Sequence, residues 1–170
     1  MADFPSFLEE TLEAWRDVRV GLIDELRNIP AHRYSFRPDA RARSVAELAQ
    51  HILEVAMMMT GELTRPDTDF HRAPWDRLLR MHAARARGAR SKRDLINLMR
   101  SQLSDAERRF RRAGELELYQ WILRFDRRRG TKLQWLHHGI AHEMYHRGQV
   151  ALYARIMGME PALTKRIRAG

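Results

Sequence analysis

Four long stretches of this 170-residue sequence repeat their apolar residues every three or four positions. That spacing follows the 3.6-residue turn of an α-helix and gives each stretch one apolar face. No run alternates convincingly with the two-residue rhythm of a half-buried strand, and no hairpin turn signal stands out. The expected fold is therefore all-α, a four-helix bundle with short extra helices in the middle of the chain. A length of 170 residues fits one domain spanning residues 1–170.

The first helix is predicted from about Phe4 to Arg27, with Leu8, Leu12, Trp15, Val18, Leu22 and Leu26 on its buried face. Pro30 follows its end, and the chain to Arg43 reads as loop. The second helix starts at Ser44, three residues before Glu47, the spacing at which each side chain satisfies a free backbone N–H. Its apolar face includes Val45, Leu48, Ile52, Val55 and Met59, and it ends near Leu63, before Pro66. Met57, Met58 and Met59 span most of one turn, so some must leave the core for a pocket or a partner surface. A shorter helix is predicted over Trp75–Arg87, with Trp75, Leu78, Leu79 and Met81 buried and Gly88 closing it. Ser91 and Asp94 cap the next long helix, from about Lys92 to Arg112. Leu116–Phe125 reads as a short helix and Asp126–Gly130 as a charged turn. Thr131 caps the last long helix, whose periodic residues include Leu136, Ile140, Met144, Leu152 and Ile156. Gly158 and Pro161 stop it, and the tail bearing Lys165, Arg166 and Arg168 is expected to be loosely held.

The sequence contains no cysteine, which excludes disulfides, thiolate metal ligands and a cysteine nucleophile. Any transition-metal site must use histidine and carboxylate, and imidazole favours zinc, nickel, copper or iron. No apolar run approaches the roughly 20 residues of a membrane span, and residues 1–10 lack a basic segment leading into an apolar one. A cytoplasmic protein is expected. The net charge is +9, and residues 65–132 carry all of the excess, with 19 basic against 9 acidic side chains. Such a stretch can attract nucleic acid without sequence preference, or can form a solvated arginine-rich surface.

Four of the eight histidines fall between Leu133 and Val150. His138, His142 and His146 follow one another at intervals of four, which advance only about 40° around a helix. Two imidazoles so placed share a face and converge on one metal ion. A third donor has to come from a facing helix, and His51, in mid-helix beside Leu48 and Ile52, is the best placed. Several unpaired inward histidines would cost roughly 1–3 kcal/mol each without a metal.

His142-Glu143-Met144-Tyr145-His146 also fits the H-E-x-x-H pattern, in which two histidines bind zinc and the glutamate activates water. No strand borders this helix to hold an extended peptide, which argues against a peptidase. Glu143 remains a candidate base at another kind of metal site, beside the plainer reading of a solvent-exposed helical glutamate. Gly148 and Tyr145 read as packing residues and Arg147 as a surface ion-pair partner.

Two segments resemble the DinB/YfiT-like proteins, a DNA-damage-inducible family distinct from the polymerase that shares the name. One is Arg43-Ser44-Val45-Ala46-Glu47-Leu48-Ala49-Gln50-His51-Ile52. The other runs from His138 through His142-Glu143-Met144-Tyr145-His146-Arg147-Gly148-Gln149-Val150 to Ala154-Arg155-Ile156-Met157-Gly158. Phe36-Arg37-Pro38 also fits, whereas residues 65–130 carry no matching motif. The resemblance implies an up-down-down-up bundle, often a homodimer. It also implies a nickel or zinc ion held by His51, His142 and His146, with water at the open positions. Relatives of this kind include thiol-dependent transferases and isomerases, so a low-molecular-weight thiol and a small-molecule substrate are implied as well.

The sequence thus points to a metal-dependent enzyme, thiol-transferring in one version and hydrolytic in another. A basic nucleic-acid-binding module and a dimeric scaffold with a vestigial site remain as alternatives. No helix-turn-helix, zinc-finger or RNA-binding signature supports the former. A cavity reaching the histidines favours chemistry, and a sealed site favours structure.

Overall fold

The structure, a computed structural model, describes residues 6–170. Four long helices carry the fold: α1 (Phe7–Asn28), α2 (Val45–Leu63), α5 (Lys92–Ala113) and α7 (Lys132–Ile156). Between them lie α3 (Trp75–His82), α4 (Ala84–Gly88) and α6 (Glu115–Leu118), and α8 (Ala162–Ala169) follows. The helix ends obey local chemistry. Ser44 and Glu47 form the reciprocal capping box, Ser91 caps through the Asp94 N–H, and Thr131 caps through the Gln134 N–H. Gly158, just past α7, takes φ +79°, which only glycine adopts without strain. The first helix is capped by Ser6, and the expected start at Phe4 lies outside the described residues.

Side-chain contacts fix the directions of the helices. Arg111 near the end of α5 reaches Glu9 near the start of α1, and Lys92 donates to the Arg27 and Ile29 carbonyls at the opposite end. These two helices are therefore antiparallel. Arg109 meets Thr64, so α2 and α5 run parallel. Asn28 donates to the Glu160 carbonyl, so α1 and α7 run parallel. The order is up-down-down-up, with α1 beside α7 and α5, and α2 beside the same two.

Three parts of the chain depart from the sequence reading. The expected helix over Trp75–Arg87 breaks at Ala83 into α3 and α4, and Trp75 and Met81 are exposed where burial was expected. The segment Leu116–Phe125 is helical only in its first residues. Beyond them, β1 (Trp121–Leu123) pairs antiparallel with β2 (Arg129–Thr131), Ile122 facing Gly130. This small hairpin corrects the expectation of no strand. Its turn uses Arg127 at φ 61°, a left-handed position filled without Gly or Asn, so no turn signal announced it. Phe125 at the turn packs among Phe70, Trp75 and Trp135, which holds the hairpin down. The third departure is the tail, which is helical. The buried Glu25 carboxylate accepts the free N–H groups of Ala162 and Leu163, capping α8 from α1.

The apolar core forms two clusters, one around Leu12, Phe70, Phe110 and Leu136, the other around Leu26, Leu53, Leu95 and Val150. A polar layer links all four long helices within this core. Arg19 of α1 is fully buried and donates through Nε and Nη2 to both carboxylate oxygens of Glu143 on α7. Its Nη1 donates to Gln102 of α5 at 2.7 Å and to the Met99 carbonyl at 2.8 Å. Gln102 in turn donates to Thr60 of α2, and Trp15 Nε1 donates to Glu143 at 2.8 Å. The guanidinium fork matches a carboxylate bidentately, and the added bonds offset much of the desolvation.

Removing one member strands a buried charge. Glu143→Ala should lower unfolding free energy by about 3–5 kcal/mol in denaturant titrations. The double variant Arg19→Met/Glu143→Leu should recover most of that loss, because no charge is then left unpaired.

Candidate metal centre

The capping box sets the start of α2 and places His51 two turns in, on the side facing α7. The antiparallel α7 presents His142 and His146 to it, one turn apart. The three rings meet edge to face, with centroids 4.3–5.1 Å apart. The Nε2 atom of His142 lies 3.2 Å from that of His51 and 3.0 Å from that of His146. All three residues can offer one ligand atom to a common point.

The donor chemistry fits a cation. Two nitrogens bound to one ion at about 2.1 Å lie roughly 2.9–3.4 Å apart, and both observed spacings fall inside that range. Gln149, three residues after His146, supplies a carbonyl oxygen 2.7 Å from His146 Nδ1. That bond keeps the proton on Nδ1 and leaves the Nε2 lone pair free. His142 Nδ1 is buried without a partner, so hydrogen bonds within the protein do not satisfy this ring.

Electrostatics keeps the donors neutral. Burial pushes the pKa of His51 down to about 4, with the Arg43 guanidinium and His146 adding to the effect. Burial pushes His142 to about 3, helped by His146, His51, His138 and Arg43. Burial also lowers His146, against the opposing bond to Gln149. Neutral imidazole is the metal-binding form.

Glu143 does not join the histidines. It precedes His146 by three residues, about 60° around the helix, and that rotation turns it toward α1. Both of its oxygens are taken by Arg19, and one also accepts from Trp15. The exposed helical glutamate of the plainer reading is absent too: Glu143 is 2% exposed. His138 lies outside the cluster and stacks on Trp135 at 4.3 Å. Arg147 makes no ion pair among the described residues; its guanidinium lies over Gly21, so close that a Cβ there would collide with it. A Cβ added at Gly148 would meet open space and Tyr145 is exposed, so neither position is needed for close packing.

A cavity of about 700 Å³ opens beside the cluster. His146 and Gln149 form part of its wall, with Tyr145 and Tyr153 from α7 and Arg37, Arg41 and Arg43 from the loop before α2. The sequence reading assigned no role to Arg43 or Tyr153. Nor did it assign one to Arg19, although Arg19 falls on the apolar stripe, four residues after Trp15 and three before Leu22. In the basic segment, Arg65, Arg72, Arg87, Arg108, Arg111 and Arg124 each meet a carboxylate. Three of these partners, Glu62, Glu54 and Glu9, lie outside the segment, so part of its excess is met by the rest of the bundle.

A helical bundle with three inward imidazoles at one edge and a cavity beside them defines the class. The chain belongs to the DinB family, whose profile matches residues 1–168. Its fold resembles a DinB-like protein, YjoA, from Bacillus subtilis, with a TM-score of 0.66 at 20% identity, covering 88% of this chain and 92% of that one. It also resembles a mycothiol-dependent maleylpyruvate isomerase, with a TM-score of 0.67 at 15% identity, over 87% of this chain. A histidine-to-alanine mutant of the same isomerase gives 0.66 at 14% identity. This chain spans 61% of the isomerase's length, and at such identities the likeness is one of fold. No curated protein matches the sequence. No helix among the described residues is long and apolar enough to cross a membrane.

The lowered histidine pKa values set a pH dependence. Above about pH 6.5 these rings are neutral both folded and unfolded. Below it the unfolded chain takes up protons that the folded His51 and His142 refuse until about pH 4 and 3. Metal-free protein should therefore lose stability as pH falls through that window. His142→Gln should flatten the slope of the denaturation midpoint against pH.

Proposed function

We propose that this chain is a divalent-metal-dependent enzyme acting on a small molecule, with nickel or zinc held by His51, His142 and His146. The observation that carries the reading is the convergence of three neutral imidazole donors, one of which, His146, lines a cavity of about 700 Å³. Three protein donors leave coordination positions open, the pattern of catalytic rather than purely structural sites. A divalent ion bound there supplies Lewis acidity that favours the deprotonated form of a thiol or of water. Gln149 orients His146, and the Tyr153 hydroxyl, donating to the Arg43 carbonyl at 3.1 Å, holds the loop that forms the opposite wall.

Thiol-dependent group transfer or isomerisation is the preferred chemistry, because one fold neighbour is a mycothiol-dependent isomerase. Metal-assisted hydrolysis is the second reading. Without Glu143 beside the donors, hydrolysis lacks the base that the H-E-x-x-H pattern would supply, which favours the thiol. Untagged protein should carry close to one divalent ion per chain by mass spectrometry, and His51→Ala or His146→Ala should lose it. Cobalt-loaded protein should then develop thiolate-to-cobalt charge-transfer absorption when cysteine is added. Metal content equally near zero in wild type and His51→Ala overturns the proposal.

A homodimer is part of the same reading. Met144, Tyr145, Leu152 and Ile156 are exposed and, with Ala141 and Gly148, form a largely apolar strip along the outside of α7, with the exposed Arg155 as its one charge. A helix apolar on its outer side as well as its inner one calls for a second covering surface, and a second copy offers the same strip in return. Light scattering should report a dimer, and Leu152→Glu should shift it toward monomer without loss of helix content.

A further inference from the structure

We propose that Arg43 is the seat for an anionic oxygen group, a carboxylate or a phosphate, on the substrate of this site. The inference rests on the metal-dependent reading and names the substrate class that the cavity takes. It begins with the charges around the cavity. Arg37 donates to Glu47 at 2.7 Å and Arg41 to Asp39 at 3.1 Å, so two of the three arginines in the wall already have carboxylate partners. The Arg43 side chain makes no hydrogen bond or ion pair among the described residues. Its backbone is set, because its carbonyl is held by Tyr153 and the next residue is the helix cap Ser44, and its side chain is exposed. Arg43 lines the same cavity as His146, Tyr145 and Tyr153.

A guanidinium beside a cation-binding site favours an anion that can join the two. The one carboxylate among the described residues of the cavity wall, Glu47, is already engaged by Arg37 and by the Ser44 N–H, and Glu143 is engaged by Arg19. The donor set itself is neutral and contributes no carboxylate. The cavity thus combines a free guanidinium fork with hydroxyls of Tyr145 and Tyr153 and has room for a metabolite-sized ligand. A guanidinium binds a carboxylate or a phosphate through two parallel bonds.

The test uses metal-free protein and NMR titration with succinate, inorganic phosphate and the neutral succinamide. Saturable shifts at residues 41–43 and 145–153 are expected with at least one anion and not with succinamide. The tighter of the two anions identifies the group. Arg43→Gln should weaken that binding about tenfold or more, as loss of a charge-assisted bond requires. Arg43→Lys should keep part of it, and Arg100→Gln, in another surface cavity, should leave it unchanged. Circular dichroism checks that each variant folds. Binding no stronger than that of succinamide, or anion binding that survives Arg43→Gln, overturns the proposal. Because no metal is present in the titration, its failure leaves the metal reading standing. A failure of metal loading with Arg43-dependent anion binding retained overturns the metal reading, and the seat is then an anion site but not part of a metal-dependent substrate site.

Discussion

The buried pair between Arg19 and Glu143 is the interaction on which the arrangement of this bundle depends. A guanidinium with no solvent exposure tolerates few geometries, because each N–H left unpaired is costly. Here the carboxylate of α7, the Gln102 amide and Met99 carbonyl of α5, and through Gln102 the Thr60 hydroxyl of α2, all meet one α1 side chain. Apolar side chains can repack after a helix slides or rotates. This set of bonds cannot, so it fixes the rotation of α7 about its axis.

That rotation is what places the metal-type donors. On α7 the residue facing α1 and the residues facing α2 are close in sequence: Glu143 lies next to His142 and one turn before Arg147. With Glu143 locked toward α1, His142 and His146 point toward α2 and meet His51. The capping box at Ser44 supplies the matching constraint on the other side, setting where α2 begins and how far along it His51 stands. The same loop then carries Arg43 to the cavity mouth, so one short segment sets both the third donor and the charge opposite it.

Much of this was legible in the sequence, because much of it is local. Ser44, Ser91, Thr131 and Gly158 mark helix ends by chemistry contained within a few residues, and each does so in the structure. The i,i+4 spacing of His142 and His146 and the inward position of His51 were readable for the same reason. What escaped depends on partners far along the chain. The helix at the tail is capped by Glu25, 137 residues away. The hairpin has strands of only three residues and is pinned by Phe125 against Phe70 and Trp135. Helical spacing shows which residues share a face. It does not show which neighbour that face meets, and so Glu143 looked equally suited to a metal site and to solvent.

The adjacency of His142 and Glu143 has a further consequence. One peptide bond separates a residue of the surface-facing cluster from a residue of the core's polar layer. A torsional disturbance at either end therefore travels to the other without passing through any flexible joint. The bonds that hold Glu143 also bear on where His142 stands relative to His51. The histidine cluster is in effect an internal strain gauge. Its geometry follows the packing in the middle of the bundle.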